Sequence, residues 1–228
     1  MKKYITICLL LAVSVLAACK KDDYKNDGGK SVAYVDMTTY DYLKSNKKFD
    51  SLIKIIDRAG MKDAINGNIT FFATTNYGVA EYVAAKKNLK VIETGDENIK
   101  FTIADIPAQQ LTDSIKIYMF AGQINRDKIT QEGTLYDSAI GVSPNVKYMI
   151  KMRRAYDYSN YVSFVDYVTY TKVIGTRDDK EADQNLIPEN LRDRAVTCQT
   201  SGIITKTGIL HVLDGSHRLF FNAQSLGN

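Results

Sequence analysis

The chain has 228 residues, 45% of them hydrophobic and 25% charged. That is the composition of a globular protein with enough apolar material for a core. Its 30 Lys and Arg stand against 26 Asp and Glu for a net charge of +4. Lys2 and Lys3 fall in a stretch read below as a removed leader, so 28 basic residues remain, scattered among the acids, and nothing marks a nucleic-acid footprint.

The leader opens on those two lysines, continues through the apolar run 5–15, and closes on Leu16-Ala17-Ala18-Cys19. The run is too short to span a bilayer and ends in small residues, as a cleavage site does. A cysteine directly after Leu-Ala-Ala resembles the bacterial lipobox. The resemblance implies cleavage after residue 18 and acylation of Cys19, and two or three acyl chains hold a protein firmly to a membrane. Lys20-Lys21-Asp22-Asp23 resembles the surface-export signal of lipoproteins in some Gram-negative bacteria. Together these imply an outer-membrane lipoprotein exposed on the cell surface.

Residues 19–35 are polar, contain Gly28-Gly29, and read as a lipidated flexible tether. Fully extended, residues 20–35 would reach about 50 Å. With Cys8 lost in the leader and Cys19 lipidated, Cys198 is the one remaining thiol, so no internal disulfide is expected. Its surroundings, Ala195 to Thr200, alternate like a strand and favour a small buried hydrophobe over a nucleophile.

The domain proper is expected over 36–222, and it opens with helices. Phe49, Leu52, Ile53 and Ile56 form one stripe ending near Gly60, and a short turn covers 61–65. Residues 69–73, Ile-Thr-Phe-Phe-Ala, read as a strand. Asn76 is expected to cap a helix carrying Val79, Tyr82 and Val83. A further helix is expected over 105–120, with Pro107 in its first turn and Leu111, Ile115 and Tyr118 facing inward.

From residue 123 onward the pattern is β. Residues 147–155 and 161–174 are rich in Tyr, Val and Ile, joined through the polar stretch 157–160. Residues 176–190 read as a charged surface excursion. Residues 194–205 and 208–213 form a second hairpin around Lys206-Thr207. Helices first and antiparallel strands afterwards make an α+β domain.

At this point two stretches resemble the motifs of fasciclin-like domains. Ile69-Thr70-Phe71-Phe72-Ala73-Thr74-Thr75-Asn76 is similar to the first motif, T-h-F-A-P-T-N, with Thr74 where proline is usual. Gly208-Ile209-Leu210-His211-Val212-Leu213-Asp214 is similar to the second, G-h-h-H-h-h-D. The resemblance implies a single antiparallel β-sheet wedge or sandwich covered by N-terminal helices, used for adhesion or surface contacts and not for catalysis. The family often carries a Tyr-His pair between the motifs, linked in some animal members to integrin-dependent adhesion. Here Met119 follows Tyr118, so that recognition is not carried over.

The chemical readings are sparse. His211, Asp214, Ser216 and His217 supply the residue types of a hydrolase triad. There is no Gly-x-Ser-x-Gly elbow, however, and along a strand His211 and Asp214 point to opposite faces. A His in a strand apolar on both faces is expected to be buried and hydrogen-bonded. Two histidines and no paired cysteines give no metal centre, and Asp178, Asp179, Glu181 and Asp183 lack the turn-forming Gly of a calcium loop. No phosphate-binding glycine loop or dinucleotide fingerprint appears, so no cofactor is expected. Carboxylate pairs for glycoside hydrolysis need not be close in sequence, but nothing points to one.

Tyr148, Tyr156, Tyr158, Tyr161, Tyr167 and Tyr170 crowd the central strands. They suit either cross-strand packing or an exposed contact surface for sugars or proteins. Tyr156 and Tyr158, beside the connecting turn, are the candidates for exposure. The sequence thus points to a non-enzymatic surface lipoprotein. Its expected partners are the membrane, through Cys19, and a surface protein or glycan, with no nucleic acid. The alternative is an accessory glycan-binding lipoprotein of an outer-membrane nutrient uptake system.

Overall fold

A computed structural model describes residues 34–221, apart from 138, 141–145, 159 and 220. The leader, Cys19 and residues 20–33 lie outside the described residues.

Tyr34 and Val35 are already tied to the sheet. Tyr34 bridges to Ile204 in parallel, and the Val35 amide donates to the Ile204 carbonyl at 2.9 Å. Helix α1, Thr39–Ser45, is capped by the Thr38 hydroxyl, which accepts from the Asp41 amide. A 3₁₀ turn, Lys47–Phe49, leads into α2, Asp50–Arg58, whose stripe of Leu52, Ile53, Ile55 and Ile56 is buried. The chain reverses at Gly60, where φ is +65°, and α3, Lys62–Ile65, follows.

Strand β1, Ile69–Ala73, is buried along its whole length. Helix α4, Asn76–Thr94, then runs 19 residues to Gly95, which ends it in the left-handed conformation. Thr75, and not Asn76, occupies the cap position. The Asn76 side chain instead ties down the preceding helices, accepting from the Ser51 amide at 2.8 Å and donating to the Lys47 carbonyl at 2.7 Å.

The helix expected over 105–120 is broken into three. A 3₁₀ turn, Ile103–Asp105, precedes Pro107, and proline forces Ile106 into extended geometry (φ −83°, ψ 130°). Helix α5 therefore spans only Ala108–Ile115. After a second turn, Lys116–Tyr118, Met119 and Phe120 lie in strand β2, Met119–Ala121. Leu111, Ile115 and Tyr118 are buried as their spacing implied.

The remaining strands are β3, Thr134–Tyr136; β4, Lys147–Ala155; β5, Val165–Val173; β6, Arg194–Ile204; and β7, Ile209–Leu213. Tyr161 is not in β5 but in the turn before it, with its amide on the Tyr158 carbonyl at 2.9 Å. Together the strands form one sheet in the order β2-β1-β7-β6-β5-β4-β3. It is not wholly antiparallel. The first and last strands, β1 and β7, run parallel, with Phe72 opposite His211. The helices and this mixed sheet make an α+β domain.

Strand β6 serves two partners. Its residues Arg194 to Thr197 pair with β5, whereas Cys198 to Ile204 pair with β7, with register shifts at Cys198, Thr200 and Ile203. Gly202, at φ +79°, lies inside this irregular stretch. The sheet curls strongly as a result. Phe72 on β1 and Tyr170 on β5 are three strands apart, which on a flat sheet is about 14 Å. Their ring centroids are 4.8 Å apart.

That closure is filled by aromatic rings. His211, Phe72, Tyr170 and Tyr148 follow one another in a stacked column with centroid spacings of 4.9, 4.8 and 5.5 Å. Phe120 meets the column edge-on at Phe72, Tyr148 and Tyr170. The Tyr170 hydroxyl finds its acceptor in the Ile117 carbonyl.

The charged excursion between β5 and β6 is pinned down. Asp178 and Asp193 each accept the other's backbone amide, at 2.8 and 3.1 Å, and Asp193 also accepts from the Ile174 amide. Asp179 takes Lys151 at 2.7 Å and Arg177 at 2.9 Å, so the excursion lies against β4.

Candidate functional site

His211 is fully buried, and both ring nitrogens are occupied. Nδ1 accepts from the Gly202 amide at 3.2 Å, and Nε2 faces the Ile124 carbonyl at 3.1 Å. Because a carbonyl can only accept, the proton sits on Nε2 and the ring is neutral. Burial pulls its pKa down to about 4. The ring thus joins the irregular part of β6 to the loop after β2, and neither nitrogen is free for a serine or a carboxylate.

Asp214 lies at the end of β7 and closes the following turn. Its carboxylate accepts from the Ser216 amide at 2.8 Å and the Ser216 hydroxyl at 2.6 Å. Those bonds hold its pKa below the ordinary carboxylate value. His217 is buried, with Nε2 at 2.8 Å from the Tyr118 hydroxyl, and burial lowers its pKa to about 4. These four residues are therefore neighbours in sequence without a triad's geometry: Asp214 and Ser216 bond each other, His211 bonds Gly202 and Ile124, and His217 bonds Tyr118. Ser216 and His217 do line a cavity of about 620 Å³ with Arg153, Arg194 and Arg218, beside the start of β6. Asp193 borders it too, with its carboxylate already accepting two backbone amides.

Cys198 is buried, and desolvation pushes its thiol well above the usual range. Asp178 and Asp179 are engaged as described above, Glu181 accepts from Thr176, and Asp183 caps a 3₁₀ turn. Among the described residues no group of three or more metal-ligating side chains converges.

The tyrosines divide sharply. Tyr148 and Tyr170 are buried in the ring column, so packing explains them. Tyr167 is half-buried beneath the Arg153 guanidinium, 5.2 Å from its ring centroid. Tyr156 and Tyr158 stand exposed at 62% and 53%. They belong to a larger set at the β4–β5 tip, with Tyr161 at 88% and Phe164 at 42%.

The base of this tip is rigid. Arg154 grips Asp166 through two hydrogen bonds of 2.8 and 2.9 Å and lies 3.5 Å from the centroid of Phe164. Arg126 reaches across to the Asp166 carbonyl at 3.0 Å and to Ser201 on β6 at 3.1 Å. Exposed rings on an anchored hairpin form a surface that can stack on sugar faces or fill pockets on a protein. Sequence reasoning missed Phe164 and Tyr161 because they sit within an apolar run that reads as strand.

No family model matches the chain, and no curated protein matches it. Among solved structures the chain is similar to a FAS1 domain pair from the insect cell adhesion molecule fasciclin I, at 14% identity and a TM-score of 0.41. The similarity covers 78% of this chain and 46% of that one, so this chain spans under half the length of the pair.

Proposed function

We propose that this chain is a non-enzymatic, fasciclin-like binding module, tethered to the outer membrane by lipid on Cys19 and displayed on the cell surface. There it mediates adhesion or binds a protein or glycan through the β4–β5 tip. The observation that carries the binding reading is the set of four exposed aromatic rings on a hairpin whose base is fixed by Arg154 and Asp166. The fasciclin-like reading is supported by the two motif stretches lying side by side, with Phe72 of the first stacked on His211 of the second. A non-catalytic role accords with His211, Asp214, Ser216 and His217 each being committed to structural bonds.

The test is binding of the intact protein to a glycan array and to surface extracts, with Tyr156→Ala and Tyr158→Ala combined. These side chains are exposed, so the variant should keep its melting temperature while binding falls roughly tenfold or more. Unchanged binding would remove the tip from the reading. The second reading, an accessory glycan-binding lipoprotein of an uptake system, is favoured by the same rings because they suit sugar faces. A silent glycan array with retained protein binding would eliminate it.

A further inference from the structure

We infer that the cleft beside the start of β6 is a docking site for a short, acidic peptide segment, taken up in extended form as an added strand. The first observation is an open strand edge. Arg194 to Thr197 pair with β5 on one side, whereas on the other side β7 ends at Leu213, opposite Cys198. The chain then turns, with the Asp214 carboxylate closing on Ser216. Successive residues of a strand send their amide and carbonyl to alternate sides. The Thr197 carbonyl accepts from the Asp214 amide at 2.8 Å, so the main-chain groups of Thr197 face away from β5. Those of Ala195, two residues earlier, do the same. The Ala195 amide and carbonyl and the Thr197 amide have no partner among the described residues. An edge left in this state is a template for a further strand.

The second observation is room. The cavity of about 620 Å³ is lined by Ala195, Val196 and Thr197 of the strand and by Ser216, His217 and Phe221 of the chain after β7. Ala195 is exposed within it. The third is charge. Arg153, Arg194 and Arg218 line the same cavity from three separate segments. Arg218 is paired with Glu81 at 3.2 Å. Arg153 lies over the Tyr167 ring, and Arg194 donates to the Glu189 carbonyl at 3.1 Å. Neither has a carboxylate partner among the described residues. The two carboxylates that border the cavity, Asp193 and Asp214, are taken up by the amides of Ile174, Asp178 and Ser216.

The open edge offers an acceptor as well as donors. A free oxyanion answers only the donors, whereas an extended peptide brings its own amides and carbonyls at strand spacing. Main-chain pairing then supplies affinity, and the two guanidiniums without carboxylates select acidic side chains over neutral or basic ones. None of the four exposed rings of the β4–β5 tip lines the cleft, so this site stands or falls separately from the tip.

The test is a titration of backbone amide shifts in the intact protein with three capped pentapeptides at constant ionic strength. One alternates glutamate with valine, one alternates lysine with valine, and the third is the glutamate peptide with its inner amides N-methylated. The glutamate peptide should give saturable downfield shifts of the Ala195 and Thr197 amide protons. The lysine peptide and the N-methylated peptide should each bind at least roughly tenfold more weakly, the first for its charge and the second for its lost donors. Arg153→Gln combined with Arg194→Gln should weaken the glutamate peptide roughly tenfold at an unchanged melting temperature. Ala195→Pro deletes an edge amide that takes no part in the β5 ladder, and should weaken it too. Absence of a saturable shift at Ala195 and Thr197 overturns the site. Equal binding of the lysine peptide overturns the acidic preference, and undiminished binding of the N-methylated peptide overturns the strand pairing.

Discussion

His211 and His217 are the only histidines in the chain, and both are held neutral inside it. In the unfolded chain each titrates near 6.5, in the fold near 4. Folding therefore excludes protons that the unfolded chain accepts. The contribution is complete above about pH 6.5, declines as pH falls toward 4, and is constant below that. At about 1.4 kcal/mol per pKa unit, each histidine is linked to roughly 3 kcal/mol across this window. Denaturant midpoints measured from pH 7 to 4 should fall steeply, and His217→Gln should roughly halve the slope. An unaltered slope would show that His217 is not buried neutral. Asp166 and Asp214, held below the ordinary carboxylate value by Arg154 and Ser216, act in a separate and more acid window.

At the scale of elements, the parallel pairing of β1 with β7 rests on a close backbone approach. A Cβ on Gly208 would stand 2.2 Å from the Ile69 carbonyl oxygen and 3.3 Å from its carbon. Both atoms are main chain and no side chain can yield. Gly208→Ala should therefore push β7 off β1 at a cost of about 3 kcal/mol. Thermal denaturation should show Tm lowered by roughly 10 °C, and a shift of a degree or two would contradict the geometry. The glycine that opens the second motif thus has a physical reason. The strands on either side of this contact were legible as short apolar runs. Their neighbourhood was not, because partners separated by more than half the chain leave no local periodicity. Strand β2 was hidden for a related reason: Met119 and Phe120 extend the spacing of Leu111, Ile115 and Tyr118, and only Pro107 hinted at a shorter helix. Tyr156 and Tyr158 were legible as tip residues from the polar turn beside them. The start of α4 was misplaced by one residue, since Asn76 read as an ordinary cap, and the pull of Asn76 toward Lys47 and Ser51 exists only in the packed fold.

For the whole molecule, attachment is proposed at Cys19, outside the described residues. Among the described residues no helix is long and apolar enough to cross a membrane. The chain enters the domain at Tyr34 and Val35, held to the end of β6, with Asp36 on Lys206 at 3.0 Å. Cys19→Ser should move the protein from the membrane to the soluble fraction and abolish lipid labelling; persistent acylation would refute the assignment.

The ring column has a practical consequence for optical measurements. The chain has fifteen tyrosines and no tryptophan, so its near-ultraviolet signal comes from tyrosine with a small phenylalanine share. Tyr148 and Tyr170, held 11° from parallel across β4 and β5, and Phe72, 19° from Tyr170, keep fixed angles only while the curled sheet is closed. Near-ultraviolet circular dichroism therefore reads closure directly, and it should vanish before the far-ultraviolet signal if the packing loosens ahead of the strands. The tip tyrosines stand outside that column, so a ligand taken up there would alter tyrosine fluorescence and leave the dichroism of the interior unchanged.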